Sequence, residues 1–305
     1  MPQFVLIGAI LLFTLLPFSA FAHDKIKVVT SFSILADLVK NVGGDHISMT
    51  TLIGPNANTH TYEPTPHDAQ ALKSAHIIFI NGLHLEGFID RLITASGTKA
   101  LLVEVSAHIS PLKTKKQKYG IKGYHHHHNS IDPHAWQTIP NTKIYIQNIA
   151  TALCNIDQQS CTVYKNNADA YIQKLNKVQK IITTQIATIP KDERIIITSH
   201  NAFGYFAQEY GFTILSPQNA SKEAEATAAD VAKLIKQITT NKATALFIEN
   251  ISNPHLIEQI SRETGLKIGG TLYSDALSNK NGPAATYLDM MKHNVNTIID
   301  AITKH

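Results

Sequence analysis

The sequence predicts an α/β protein of two lobes with parallel-type sheets flanked by helices, the lobes joined by one long rigid helix. Three observations carry this. From Ile26 onward, short β-rich runs alternate with helical patterns, as parallel strands with helices on their faces require. The alternation stops once, at a single apolar stripe of helical spacing, and then restarts. The chain has 305 residues, 44% of them hydrophobic, which is too long for one ordinary domain and ample for two cores.

Residues 1–22 carry no charged side chain. Val5 to Leu16 is an almost unbroken apolar run, followed by Pro17 and the A-x-A pattern Ala20-Phe21-Ala22. This reads as a secretory signal peptide cut after Ala22, leaving His23 as the mature start, although its positive charge comes only from the amino terminus. The alternative is an uncleaved membrane anchor, which the short apolar core and the A-x-A disfavour. No Cys follows the run, which argues against a lipid-anchored start. No later stretch is long and apolar enough to span a bilayer, so the mature protein is expected to be soluble.

The N-terminal lobe is assigned to 23–162. IKVVTSF reads as a strand, and Ile34–Val42 as an amphipathic helix stopped by Gly43-Gly44. ISMTTLI and HIIFIN read as strands, with a helix starting near Pro66 between them. Leu85–Ala95 is expected to be helical, and LLVEV is a further strand. Lys113–Asp132 is a polar, His-rich loop. Pro140 then opens a helix through Leu153, occupying the first-turn position that proline tolerates best.

The connecting helix, 163–189, is the most regular segment. Tyr164, Ala168, Tyr171, Leu175, Val178, Ile182 and Ile186 recur at helical spacing and form one apolar stripe. At 1.5 Å per residue it would run about 40 Å, the span of two small lobes, and Pro190 ends it. The C-terminal lobe, 190–305, resumes the alternation: RIIITS strand, Ala202–Tyr210 helix, FTILS strand, Ala228–Thr239 helix, ATALFIE strand, Pro254–Thr264 helix, LKIGGTLY strand and a last helix from Pro283 to about Thr303.

The two cysteines, Cys154 and Cys161, flank a polar segment. In an oxidising compartment they are expected to form a disulfide across it, because six intervening residues fit neither C-x-x-C nor a zinc knuckle. Lys+Arg 27 against Asp+Glu 23 gives a formal charge of +4, thinly spread. No arginine-rich or aromatic–basic stretch points to nucleic acid, and the Lys113–Lys118 run is a solvated loop. Histidine is the unusual component, at 16 residues with four consecutive, His125, His126, His127 and His128.

Ligands in an α/β protein belong where loops leave the carboxyl ends of strands. Four candidates lie there: His60 after ISMTTLI, His134 in IDPHAW, His200 directly after RIIITS, and Asp275 after LKIGGTLY, two from each lobe. Three imidazoles and a carboxylate suit zinc (Zn²⁺), with manganese (Mn²⁺) the alternative, and do not suit calcium or magnesium.

The segments SFSILADLVKNVGGD, THTYEPTPHDAQAL, INGLHLEGF, DPHAW, TSHNAFGYFAQEYG, FIENISNPHLIEQISRETG and GGTLYSDALS closely resemble the zinc/manganese substrate-binding proteins of ABC uptake systems. This is the periplasmic metal-receptor family known as cluster A-I, or the Znu/Tro type. The resemblance covers the chain from about Lys25 to its end. It implies two α/β lobes on one long helix, the ligand set His60, His134, His200 and Asp275, a periplasmic monomer, and docking on an ABC transporter membrane permease. In manganese-selective relatives the third ligand is usually Glu, so His200 tilts the expectation towards zinc. A His-rich loop before the second ligand is similar to that of the zinc-type receptors, which makes His125–His128 a candidate secondary metal collector; the alternative is a surface loop with incidental affinity.

Of the neighbouring residues, His67 and His84 are expected to start helices or pack rather than bind metal. Tyr62 and Glu63 shape the His60 loop, and Trp136, beside His134, is expected to serve lobe packing. Glu249 either holds a ligand imidazole in its tautomer or caps the following turn. Two rival classes remain. A zinc hydrolase would commonly use three protein ligands plus water, and there is no H-E-x-x-H motif. A structural surface protein would hold its metal only as a staple.

Overall fold

The computed structural model describes residues 24–113, 131–217, 228–241 and 243–304. The segment 1–22 expected to be a signal peptide, His23 and the tract His125–His128 lie outside these residues.

In the first lobe, β1 (Ile26–Phe32) is followed by α1 (Ser33–Gly43), β2 (Ile47–Ile53), α2 (Pro66–Ser74), β3 (Ile77–Ile80), α3 (Ile89–Ser96) and β4 (Leu101–Glu104). All pairings are parallel, in the order β2-β1-β3-β4. β1 and β3 are central: β3 is a continuous apolar run, IIFI, and β1 is buried from Val28 to Phe32, including the polar Thr30 and Ser31. Val28 and Val29 pair with Ile77 and Ile78, all essentially inaccessible to solvent. α4 (Ile139–Ile156) closes this lobe.

The second lobe repeats the plan with β5 (Ile195–Ile197), α6 (Gly204–Tyr210), β6 (Thr213–Leu215), α7 (Ala228–Asn241), β7 (Ala245–Glu249), α8 (His255–Thr264), β8 (Ile268–Leu272) and α9 (Tyr287–Thr303). Its parallel sheet has the matching order β6-β5-β7-β8. In both sheets the chain steps outward in opposite directions from the first strand. A crevice therefore opens at the carboxyl ends between β1 and β3, and between β5 and β7.

Between the lobes runs α5 (Cys161–Ile186), whose buried positions are Tyr164, Ala168, Tyr171, Leu175, Val178, Ile182 and Ile186, the predicted stripe. It packs on α1 and α4 and also on α9. Tyr171 Oη lies 3.4 Å from Asp37 on α1, and the same carboxylate accepts the Tyr287 N–H at the start of α9, at 3.0 Å. A disulfide joins Cys154 to Cys161 across the turn between α4 and α5. None of the helices in the described residues is long and apolar enough to cross a membrane.

Several element ends differ from expectation. α3 begins at Ile89 rather than Leu85, because Gly82, Leu83 and His84 turn at positive φ and the buried Glu86 carboxylate takes the Asn81 and Gly82 N–H groups at 2.7 and 3.2 Å. α9 begins at Tyr287 rather than Pro283, because the Thr286 side chain caps it by accepting the Asp289 N–H at 3.2 Å. α6 begins at Gly204, two residues after the expected Ala202, and α5 ends at Ile186, before a closing turn.

Candidate metal centre

His60, His200 and Asp275 come from the loops after β2, β5 and β8, and His134 from the segment that leads into α4. His60 sits on the loop after β2, where its own N–H donates to Asn58 at 2.8 Å. Tyr62 ties that loop to α2 by donating to Asp68 at 2.9 Å, and its ring packs on Phe88; Glu63 is exposed. His134 precedes a short 3-10 turn, Ala135–Gln137, leading into α4. Its loop is pinned from below by Asn81, which donates to the Pro133 carbonyl at 2.9 Å. His200 follows β5, and Asp275 follows β8.

Among the described residues, one group of His, Cys, Asp or Glu side chains gathers at metal-binding distance: His60, His134, His200 and Asp275, with one atom from each lying within 4.8 Å of the others. The Asp275 Oδ2 lies 3.0 Å from His60 Nε2 and 3.3 Å from His200 Nε2, and Oδ1 lies 3.5 Å from His134 Nε2. The Nε2 atoms of His60 and His134 face each other at 3.2 Å. Four donors bonded at 2.0–2.1 Å around a tetrahedral ion stand roughly 3.3 Å apart, the scale seen here. Both Asp275 oxygens are buried without a hydrogen-bond partner among the described residues. A fully buried carboxylate with no donor is costly unless a cation compensates it.

Two of the imidazoles are backed by carboxylates. Asp132 Oδ1 accepts the His134 N–H at 3.0 Å and meets its ring Nδ1 at 2.8 Å. Glu249, at the end of β7 and fully buried, accepts the His200 N–H on Oε1 at 2.8 Å and places Oε2 2.7 Å from the ring Nδ1. The second contact is close but out of line for a directed hydrogen bond, and neither atom finds another partner among the described residues. Both carboxylates favour a proton on Nδ1 and so direct the Nε2 lone pair inward.

Burial alone would lower the pKa of His134, but the carboxylates of Asp275 and Asp132 outweigh it and raise the group to about 9. For His200, burial is likewise outweighed by Glu249 and Asp275, and the pKa lies well above the usual imidazole range. Burial would raise Asp275, yet the imidazolium charges of His134 and His200 hold it well below the usual carboxylate range. The site is built for positive charge, which protons supply when no metal does.

The segment carrying Asp275 is fastened to the first lobe. Trp136 and Gln137 both donate to the Ser274 carbonyl, at 2.9 and 2.6 Å. Leu277 donates to Ser33 at 3.0 Å and accepts from Asn56 at 2.9 Å. Trp136 is buried in packing, as expected, and its indole N–H adds a polar tether to the opposite lobe. Glu249 contacts the imidazole as one of its two expected roles. His67 starts α2, whereas His84 neither starts a helix nor packs; it is exposed on the left-handed turn after β3. Asp132, Gln137 and the Asn81–Glu86 pair were not foreseen. Asp132 carried a signal, since an acidic residue two positions before a ligand His can fold back on its ring.

The sequence profile of the family described as ZnuA, zinc-uptake complex component A, periplasmic, matches residues 28–301. The manganese-binding lipoprotein MntA of Halalkalibacterium halodurans is 33% identical over 281 residues, covering 92% of this chain and 90% of that protein. The iron-binding protein YfeA of Yersinia pestis is 34% identical over 276 residues, covering 90% and 85%. The periplasmic zinc-binding protein TroA of Treponema pallidum superposes with a TM-score of 0.83 at 29% identity, over 92% of this chain and 99% of that one. On the profile, on these relatives and on the shared two-lobe fold, the chain belongs to the ZnuA family of periplasmic metal-binding receptors of ABC transporters.

Proposed function

We propose that this protein captures a divalent transition metal in the periplasm, zinc in preference to manganese, and delivers it as a monomer to the membrane permease of an ABC importer. His60, His134, His200 and Asp275 are the ligands. The observation that carries this reading is the convergence of three Nε2 atoms on a buried carboxylate whose two oxygens have no hydrogen-bond partner among the described residues. The chemistry is coordination without turnover, and four protein ligands leave no position set aside for a catalytic water.

The preference for zinc rests on the donor set. Three imidazole nitrogens and one carboxylate suit zinc, and the intrinsic order of divalent metals places it above manganese at such a site. The relatives' names point to manganese, iron and zinc in turn, so the family alone does not choose. One observation favours manganese as a second reading: both Asp275 oxygens face the imidazoles, which could add a fifth, oxygen donor.

The test is elemental analysis and competitive titration of the mature protein with Zn²⁺ and Mn²⁺, for wild type and His200→Glu. Wild type is expected to favour zinc, and His200→Glu to weaken zinc relative to manganese. Uptake of manganese that zinc cannot displace would overturn the metal assignment.

A further inference from the structure

Gly204, the first residue of α6, has no side chain, and the reason lies in the opposite lobe. A Cβ built on it would run into Asp132 Oδ2, well inside van der Waals contact, with Leu112 Cδ2 next at 3.1 Å. A clash with a carboxylate tip is usually relieved by rotating it away. Asp132 is not free to rotate. Its Oδ1 is committed to the His134 N–H and ring Nδ1, at 3.0 and 2.8 Å. Its backbone is fixed as well, the N–H donating to the Leu112 carbonyl at 2.8 Å and the carbonyl accepting from Tyr205 Oη at 3.1 Å. Tyr205 Oη also accepts the Leu112 N–H at 2.9 Å. Asp132 is only 1% exposed, so there is no open space to swing into.

Gly204 lies four residues after His200 and Asp132 two before His134. The bare Cα is therefore where the loop carrying one lobe's imidazole fits against the carboxylate that backs the other's. We propose that Gly204 is a positioning residue for metal capture: its missing side chain lets the Asp132 carboxylate seat and hold the His134 ring on the metal. The inference rests on His134 being a ligand, as proposed above. Ala is the better helix former of the two, so local propensity predicts no harm from Gly204→Ala and any loss must come through Asp132.

The test is a double-mutant cycle on the full mature chain with Zn²⁺ as probe: wild type, Gly204→Ala, Asp132→Ala and the double variant, each titrated against a competing chelator. Absorption of the Co²⁺-loaded proteins reports ligand geometry. Gly204→Ala is expected to weaken zinc roughly 10- to 100-fold, the range for losing a group that orients a ligand, and to alter the Co²⁺ spectrum. With Asp132→Ala already present, adding Gly204→Ala is expected to change affinity by less than about twofold. Equal losses in both backgrounds, or a silent Gly204→Ala in wild type, would overturn the proposal. If Gly204→Ala alone fails to fold, folding of the double variant supports it and failure of both overturns it. His134→Ala and Asp275→Ala separate the two claims. If they still bind zinc stoichiometrically, the ligand reading fails and this inference with it; if they abolish binding while Gly204→Ala is silent, only this inference falls.

Discussion

Glu249→Gln removes one charge and almost no volume, yet it should cripple metal binding. The carboxylate gives each of two His200 groups its own oxygen: Oε1 takes the backbone N–H at 2.8 Å and Oε2 meets the ring Nδ1 at 2.7 Å. A glutamine has one oxygen and one NH₂. If the oxygen stays on the backbone, the NH₂ faces Nδ1, and the ring must carry its proton on Nε2, where the metal would bind. If the amide flips, the NH₂ meets the backbone N–H. Either way the metal-bound form loses the backbone hydrogen bond or the carboxylate's close contact with Nδ1, a buried polar interaction worth about 1–3 kcal/mol. At 1.4 kcal/mol per decade this is roughly a 5- to 150-fold weaker Kd. Asp132→Asn should do less, because a single oxygen, Oδ1, serves both His134 groups and the amide oxygen can keep both bonds. Chelator-competition titration with zinc at fixed pH measures both. The reasoning is refuted if Glu249→Gln stays within about twofold of wild type, or if Asp132→Asn is the more damaging.

Two further predictions concern stability. Glu86 is fully buried, and burial raises its pKa from 4.5 to about 6 despite hydrogen bonds from Ser31, Asn81 and Gly82. A carboxyl raised on folding contributes stability that is fully present below its unfolded pKa and lost as pH rises through the folded value. The urea-unfolding free energy of wild type relative to Glu86→Gln should therefore fall by about 2 kcal/mol between about pH 4 and pH 7, and a flat difference would contradict this. Replacing both Cys154 and Cys161 by Ser should lower stability by about 2–3 kcal/mol from loop entropy. Zinc affinity should hold, because most of α4, roughly 22 Å from Ile139 to Cys154, separates the disulfide from His134; a tenfold loss would mean that the bridge supports the site.

The backbone plan and the four gathered residues were legible in the sequence because both follow from local rules. Apolar periodicity marks strands and the α5 stripe, and His60, His200 and Asp275 sit just beyond strand ends, where parallel sheets open their crevices. What was not legible depends on distant partners. Helix α3 starts late because Glu86 folds back onto Asn81 and Gly82, and the Tyr287 N–H at the start of α9 is taken by Asp37, 250 residues away. The Ser274 carbonyl is held by Trp136 and Gln137 across the lobe boundary, and nothing near Ser274 in sequence announces it. Nothing near Gly204 in sequence announces that its neighbour is a carboxylate of the other lobe.

In the proposed site one metal ion is held by residues of both lobes. The most direct measurement is anomalous scattering from crystals of the mature protein grown with zinc, recorded on either side of the zinc absorption edge. One dominant peak is expected about 2.0–2.2 Å from the Nε2 atoms of His60, His134 and His200 and from the Asp275 carboxylate. A dominant peak bound by His125–His128, or by residues of one lobe alone, would contradict it.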